Sequence, residues 1–409
     1  MSWSILRTGA AAVIGSVAVS CGVPSAGGEG PRESLPRSRS SVELLGRGAI
    51  PGTDRDRTES TKLLRDGSPE NRLGGHGSGI AWTGSGDEYL MVADRGPKDG
   101  ATEYTCRFHE VKIRVNAADR SVVSEVVATR LLRDGARPLI GSSDALDSNA
   151  GPKRFDPEAI RFDRRRGSVY ISEEYGPLLG RFDRTGSLQD SWTVPKTLID
   201  QPSSDPAQEL PPRNLHGRQP NRGFEGLALS EDGAFLYAIL QGPLLQDHAL
   251  GSEGQRQGLN VRLFEIATAS GRVTRELVYQ LETPALVLSE AEWVGPNCLL
   301  VIERDGKPGL LGGQKWIVEI DFSKATDVQS LTRLPAGKLP GKVRPVEKRL
   351  LIDLLAPEYG LAGDGFPEKI EGIAFGPRLP DGRRLLLVTS DNDFRADQPT
   401  HIFAFAVSE

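Results

Sequence analysis

Three cysteines and five histidines among 409 residues are too few, and too scattered, to give the close CxxC or HxxxH spacing of a zinc site. No P-loop or dinucleotide fingerprint is present. The segment "GHGSG" resembles a serine-hydrolase elbow only superficially, because that turn needs glycine two residues before Ser78 and His76 stands there. Helix signals are scarce: beyond the N-terminus no segment keeps an i, i+3, i+4 apolar pattern for three turns. No later run is long and apolar enough to cross a membrane as a helix. Neither charge sign dominates, with 50 basic against 55 acidic residues and a net charge of −5, so a nucleic-acid partner is not expected. The runs "RRR" at 164–166 and "RSRS" at 37–40 are read as a solvated turn and a flexible tail.

The composition that remains is 47 glycines, 28 prolines and 38% apolar residues, which suits many short strands joined by tight turns. The first 21 residues have the form of an export signal: Arg7, an apolar run from Gly9 to Val19, then small residues before Cys21. The ending "AVSC" resembles a bacterial lipobox. It implies an exported protein of the cell envelope, lipid-anchored through Cys21 to a membrane facing periplasm or exterior; ordinary signal cleavage is the alternative. Residues 22–41 carry little to bury and are read as a disordered tether, leaving one domain over 42–409. Cys106 and Cys298 are then left to pair or to stay free, and spacing does not decide between these.

Within that domain a short hairpin recurs five times, beginning "GSGIAW", "PEAIRF", "FEGLAL", "SEAEWV" and "IEGIAF". Aligned on the first strand, Ser78, Glu158, Glu225, Glu290 and Glu371 share one position; aligned on the second, Asp94, Glu173, Gln241, Glu303 and Asp391 share another. The start of strand one and the end of strand two of an antiparallel hairpin lie at the same edge. The repeat spacings of 80, 67, 65 and 81 residues suit four strands per unit. The fifth repeat has only three strands before the chain stops, and "VELLGRGAIP" at 42–51 is an unclaimed strand able to supply the fourth. Pairing the two ends in one blade closes the ring and removes its sheet edges. The expected fold is an all-β, single β-propeller of five blades, with a sixth around 100–150 or 325–365 as the alternative.

Radial arrangement gathers up to eight carboxylates at one mouth. Two of them about 5 Å apart repel by roughly 3 kcal/mol at an effective dielectric near 20. Protonation, interleaved cations or a bound hard cation must compensate. Arg95, Arg222, Arg304 and Lys369 adjoin the acidic positions, and oxygen-only ligands favour Ca²⁺ for the remainder. His76, two residues before the first repeat, is a further candidate at the mouth.

The phrases "VADRGP", "FDPEAIRFD", "YISEEYGPLLGRFDRTGSL", "NRGFEGLALSEDG", "VIERDG", "IEGIAF" and "TSDND" together resemble the phytase-like propeller domain of exported bacterial proteins, described as esterase-like activity of phytase. The resemblance spans roughly 43–408. It implies an ester hydrolase using acidic residues and Ca²⁺, with matching positions at Asp94–Arg95, Glu158, Glu173–Glu174–Tyr175, Glu225, Glu303–Arg304, Glu371 and Asp391–Asn392–Asp393. On this reading Glu158, Glu174, Arg95 and Arg304 are catalytic. Asp94, Glu173, Glu225, Glu303, Glu371, Asp391 and Asp393 hold metal, and His76, Tyr175 and Arg222 contact substrate. Gln241 departs from the acidic pattern. The partner implied is a small-molecule phosphoric or carboxylic ester met by a monomer, with the membrane touched only through the lipid anchor. The alternative is a non-catalytic propeller that binds a ligand or protein around a structural calcium.

Overall fold

A computed structural model describes residues 35–143, 152–193 and 206–408. The signal segment and Cys21 lie outside the described residues. Five four-stranded antiparallel units follow one another, and their inner strands are Gly79–Trp82, Pro157–Asp163, Phe224–Leu229, Val287–Gly295 and Lys369–Arg378. Each inner strand packs against those of its two neighbours around a closed ring. The fold is a five-bladed β-propeller.

The third blade shows how sequence sets strand position. Its second strand, Phe235–Leu240, is covered on both faces by neighbouring blades and reads "FLYAIL" without a polar residue. Its outer strand, Arg272–Gln280, alternates between exposed and covered positions over its first half, as a strand with one wet face must. The core lies between blades. Leu90, Val92 and Phe108 of the first blade, for instance, meet Ile160, Val169 and Ile171 of the second.

The ring closes as the unpaired N-terminal strand suggests. Val42–Ile50 pairs antiparallel with Thr400–Val407 and completes the fifth blade. It also touches the outer strand of the first blade, Ser121–Leu131, through the parallel pair Arg47 and Ser121. Two glycines permit that approach: a Cβ on Gly48 would lie 2.1 Å from the Val122 carbonyl oxygen, and one on Gly46 2.6 Å from that of Arg120.

One sequence expectation changes. The compact unit begins at Leu35 and not at Val42. Arg37 bridges to Leu350 and the Ser38 hydroxyl donates to Glu319 at 2.9 Å, so 35–41 lies along the edge of the fourth blade. No sixth blade occurs among the described residues. Tyr104–Thr105, Arg133–Asp134, Arg137–Gly141 and Lys153–Arg154 form small additional pairings, and 325–365 supplies the fourth blade's outer strand, Glu347–Asp353. Both Cys106 and Cys298 are free thiols.

Candidate functional site at the propeller mouth

In the second to fifth blades the inner strand carries one residue more than its partner near its start. These register shifts fall between Pro157 and Ile160, Phe224 and Gly226, Leu288 and Ala291, and Ile370 and Gly372. Such a bulge bends the strand and re-aims a side chain. Glu158, Glu225 and Glu371 sit in these bulges and line a cavity of about 180 Å³ at the mouth. Directly below, the strands crowd the axis: a Cβ on Gly226 would come within 2.7 Å of the Glu290 Cα.

Asp94, Arg95 and Glu174 join them from the ends of second strands, with Lys369 and Arg304 opposite. Arg222 and Arg256 complete the basic side. The lining thus sets five carboxylates against five cations, and Asp156, Asp391 and Asp393 add acid just behind it.

Two acidic clusters result. One oxygen each from Asp94, Asp391 and Asp393 lies within 4.8 Å of the others, and the same holds for Asp156, Glu158 and Glu174. Arg95 serves the second cluster, its guanidinium 2.6 Å from Asp156 and 3.3 Å from Glu174. Lys369 serves the first, bonding Asp393 and lying 3.6 Å from Asp391. Compensation is incomplete, because buried oxygens of Asp391, Glu174 and Glu225 have no hydrogen-bond partner.

The titration behaviour follows. Burial lifts the Asp94 carboxyl to about 7 against the pull of Lys369 and Arg95. It likewise brings Glu174 to about 7, with the charge of Asp156 adding to it. Glu158 and Glu225 go well above the carboxylate range, through burial first and then neighbouring acids, and Asp391 rises for the same reasons. A cation-binding site is expected to behave this way, since protons fill in for the missing positive charge.

The cations divide into two kinds. Arg304 is held by Ser289, the Ile370 carbonyl and Glu371, so its donors are committed within the fold, as are those of Arg95. Arg222 and Arg256 have no ion-pair or side-chain hydrogen-bond partner among the described residues. Burial and the nearby Arg256 bring Arg222 down to about 10. Two guanidiniums in one cavity without such partners have the chemistry to receive an anion.

Several sequence candidates lie elsewhere. Glu290 shares the alignment, but its bulge puts Ser289 toward Arg304 and turns Glu290 down the channel. There it accepts from the Leu227 and Ala291 amides at 2.9 Å and pairs with Arg161 at 3.1 Å. Glu303 turns outward to Tyr279, Gln314 and Lys348 and is satisfied within the fold. Glu173 accepts from the amides of Asp156, Tyr175 and Gly176, fixing the loop that carries Glu174. Tyr175 is buried beneath the Arg154 guanidinium, 3.6 Å from its ring centre. His76 is buried edge-on to His109, and burial lowers it to about 4. None of these five lines the mouth cavity. Asp156 and Arg256, in contrast, were not singled out by the sequence. Asp156 stands directly before the inner strand in "FDPEAIRFD", where a hairpin alignment starting at Pro157 passes over it; Arg256 lies in a polar loop without periodicity.

An uncharacterized secreted protein of Arthroderma benhamiae is 28% identical over 192 residues, 40% of this chain and 37% of that protein, so the match spans well under half of either. Among solved structures, the major allergen Mala s 1 of Malassezia sympodialis is 11% identical, covering 84% of this chain and 81% of that one at a TM-score of 0.38. Hydrazine synthase of Kuenenia stuttgartiensis is 12% identical, covering 82% and 80% at a TM-score of 0.34. A family model, Phytase-like, described as esterase-like activity of phytase, matches residues 71–394, and the chain belongs to that family.

Proposed function

We propose that the mouth hydrolyses a phosphoric or carboxylic ester with the help of bound calcium. The observation that carries this reading is the pairing, in one small cavity, of carboxylate oxygens lacking partners with the unpaired guanidiniums of Arg222 and Arg256. The donor set of Asp94, Asp391 and Asp393 fits the ion: it is all oxygen, Asp94 and Asp391 are buried while Asp393 is exposed, and Asp391 keeps a free oxygen. Asp94, Asp391 and Asp393 would hold the ion, leaving Glu158 and Glu174 of the second cluster to exchange protons. A cation there would polarise an ester oxygen and acidify a water.

The chain's own groups supply the remainder. Arg222 and Arg256 bind the anionic ester and orient it toward the acids. Glu174 takes a proton from the attacking water, for which a value near 7 is suited, and Glu158, whose carboxyl burial raises well above the ordinary range, gives one to the leaving alcohol. Water is consumed, and acid and alcohol are released. Arg95 and Arg304 act as positioning residues for Glu174 and Glu371. Export, with a lipid anchor on Cys21, is part of the same proposal. The N-terminal pattern supports both, and the matched secreted protein supports export alone. A Cys21→Ser chain that still sediments with membranes would refute the anchor.

The test is release of p-nitrophenol from p-nitrophenyl phosphate and p-nitrophenyl acetate, with calcium or with chelator. Calcium-dependent turnover of the phosphate is expected, falling by roughly a hundredfold or more in kcat for Glu158→Gln. If neither ester is turned over while calcium still raises the melting temperature, the mouth is a binding site and the non-catalytic alternative replaces this reading.

A further inference from the structure

The inner strands begin at the acidic mouth and end at the opposite face, where a second and larger cavity of about 660 Å³ opens. Along the second blade Asp163 lies five residues beyond Glu158, roughly 16 Å at strand rise. Between the two ends Arg161 blocks the axis. Its guanidinium donates to the carbonyls of Ile80, Ile160, Ala291 and Ile373, one from each of four blades, and pairs with Glu290 and Glu292. The far cavity is therefore a compartment of its own, with Arg161 as its floor.

Its walls have a distinct chemistry. Inner strands reach this face with large apolar residues, among them Trp82, Phe162 and Trp293, each left partly exposed. The first-hairpin turns add Arg164, which lies 5.4 Å over the Trp82 ring, Arg165 and Glu231, all exposed. Asp163 is already engaged by Arg166 at 2.7 Å, and Glu292 by Arg161. The charge still uncommitted at the rim is thus mainly positive. A purely aromatic anion would use the ring faces and the arginines but offer no donor to acceptors such as the exposed Glu231 carboxylate; the Ser230 hydroxyl is already engaged by Asp232 and the Phe235 amide. A sugar ring supplies both an apolar face for stacking and hydroxyls that donate to such acceptors, and a carboxylate on it would pair with arginine. The volume falls in the range of small-ligand sites.

We propose that this far cavity is a second binding site, separate from the mouth, for an acidic saccharide whose ring stacks on Trp82 or Trp293 and whose carboxylate meets Arg164 and Arg165. It requires neither the metal nor the hydrolytic reading of the mouth.

The test uses the full chain titrated with digalacturonate, with digalactose as the neutral comparison. Binding is followed by tryptophan fluorescence and by calorimetry. Saturable binding of the acidic sugar is expected, weakened roughly tenfold by Arg164→Ala, the loss of about one charge-assisted contact. Trp82→Ala, its folding checked by melting, should weaken it and remove most of the fluorescence change. Glu158→Gln, at the mouth, should leave it unchanged. The proposal is overturned by absence of saturable binding, by equal binding of the neutral sugar, by indifference to Arg164→Ala and Arg165→Ala together, or by loss of binding in Glu158→Gln.

Discussion

At the scale of single residues, the mouth behaves as a set of charges whose partners decide their roles. Carboxyls raised in the folded state bind protons there that the unfolded chain has already released. Stability of the cation-free protein is then full below the ordinary carboxylate value and falls as pH rises through the folded values. For Asp94, Glu173 and Glu174 that window runs from about 4.5 to somewhat above 7. A single such group contributes on the order of 3 kcal/mol. In chelator, the melting temperature should drop between pH 5 and pH 8, and millimolar calcium should flatten the drop. A flat profile in chelator would show that the acids are compensated without an ion. The two kinds of arginine give a second prediction. Arg304→Ala strands the buried Glu371 and should destabilise by about 3–5 kcal/mol. Arg222→Ala removes a desolvated cation and should leave the melting temperature within a degree or two while raising KM for the phosphate ester. If both variants melt alike, committed and free arginines are not distinct. The alignment made the acids legible, but not which way each one faces. Glu290 and Glu303 match their counterparts in sequence, and a shifted bulge in one case and a Tyr279–Lys348 pair in the other turn them away.

At the scale of elements, the bulges are what convert a repeated strand into a site. Their presence left little trace in the sequence, because one extra residue in a strand of mixed polarity does not disturb a short alternating pattern. The strands themselves were legible, since interior strands such as Phe235–Leu240 are covered on both faces and read as continuous apolar runs. The N-terminal strand was legible by elimination, as an orphan beside a three-stranded last repeat. Its glycines carry a further consequence. Adding a methyl at Gly48 forces it against the Val122 carbonyl, and overpacking of this kind typically costs about 1–3 kcal/mol. Gly48→Ala should therefore lower the melting temperature by several degrees, whereas Gly337→Ala, whose Cβ would meet nothing within 4 Å, should not. Equal melting of the two would mean that the strand does not seat closely between the blades.

At the scale of the whole molecule, the ring is held at its seam by both backbone and charge. Strand Val42–Ile50 joins the fifth blade to the first by hydrogen bonds. The cluster of Asp94 from the first blade with Asp391 and Asp393 from the fifth spans the same seam at the mouth. Without a cation these acids repel across it, offset in part by Lys369 and, for Asp94, by Arg95. A bound calcium would instead link the two blades, and binding to the folded state alone stabilises it by mass action, about 2.7 kcal/mol at one hundred times the dissociation constant. The effect should be local before it is global. In chelator, amide exchange should quicken first in Val42–Ile50, Gly79–Trp82 and Thr400–Val407. The third blade, whose Glu225 is bonded to Gln241 at 2.9 Å and belongs to neither acidic cluster, should stay protected longest. Calcium should restore the seam strands to the protection of the third blade, and Asp391→Asn should abolish that restoration without speeding exchange in chelator, because it removes a repelling charge. Uniform exchange through all five blades, with and without calcium, would show that no ion acts at the seam and would remove the main support for a metal at the mouth.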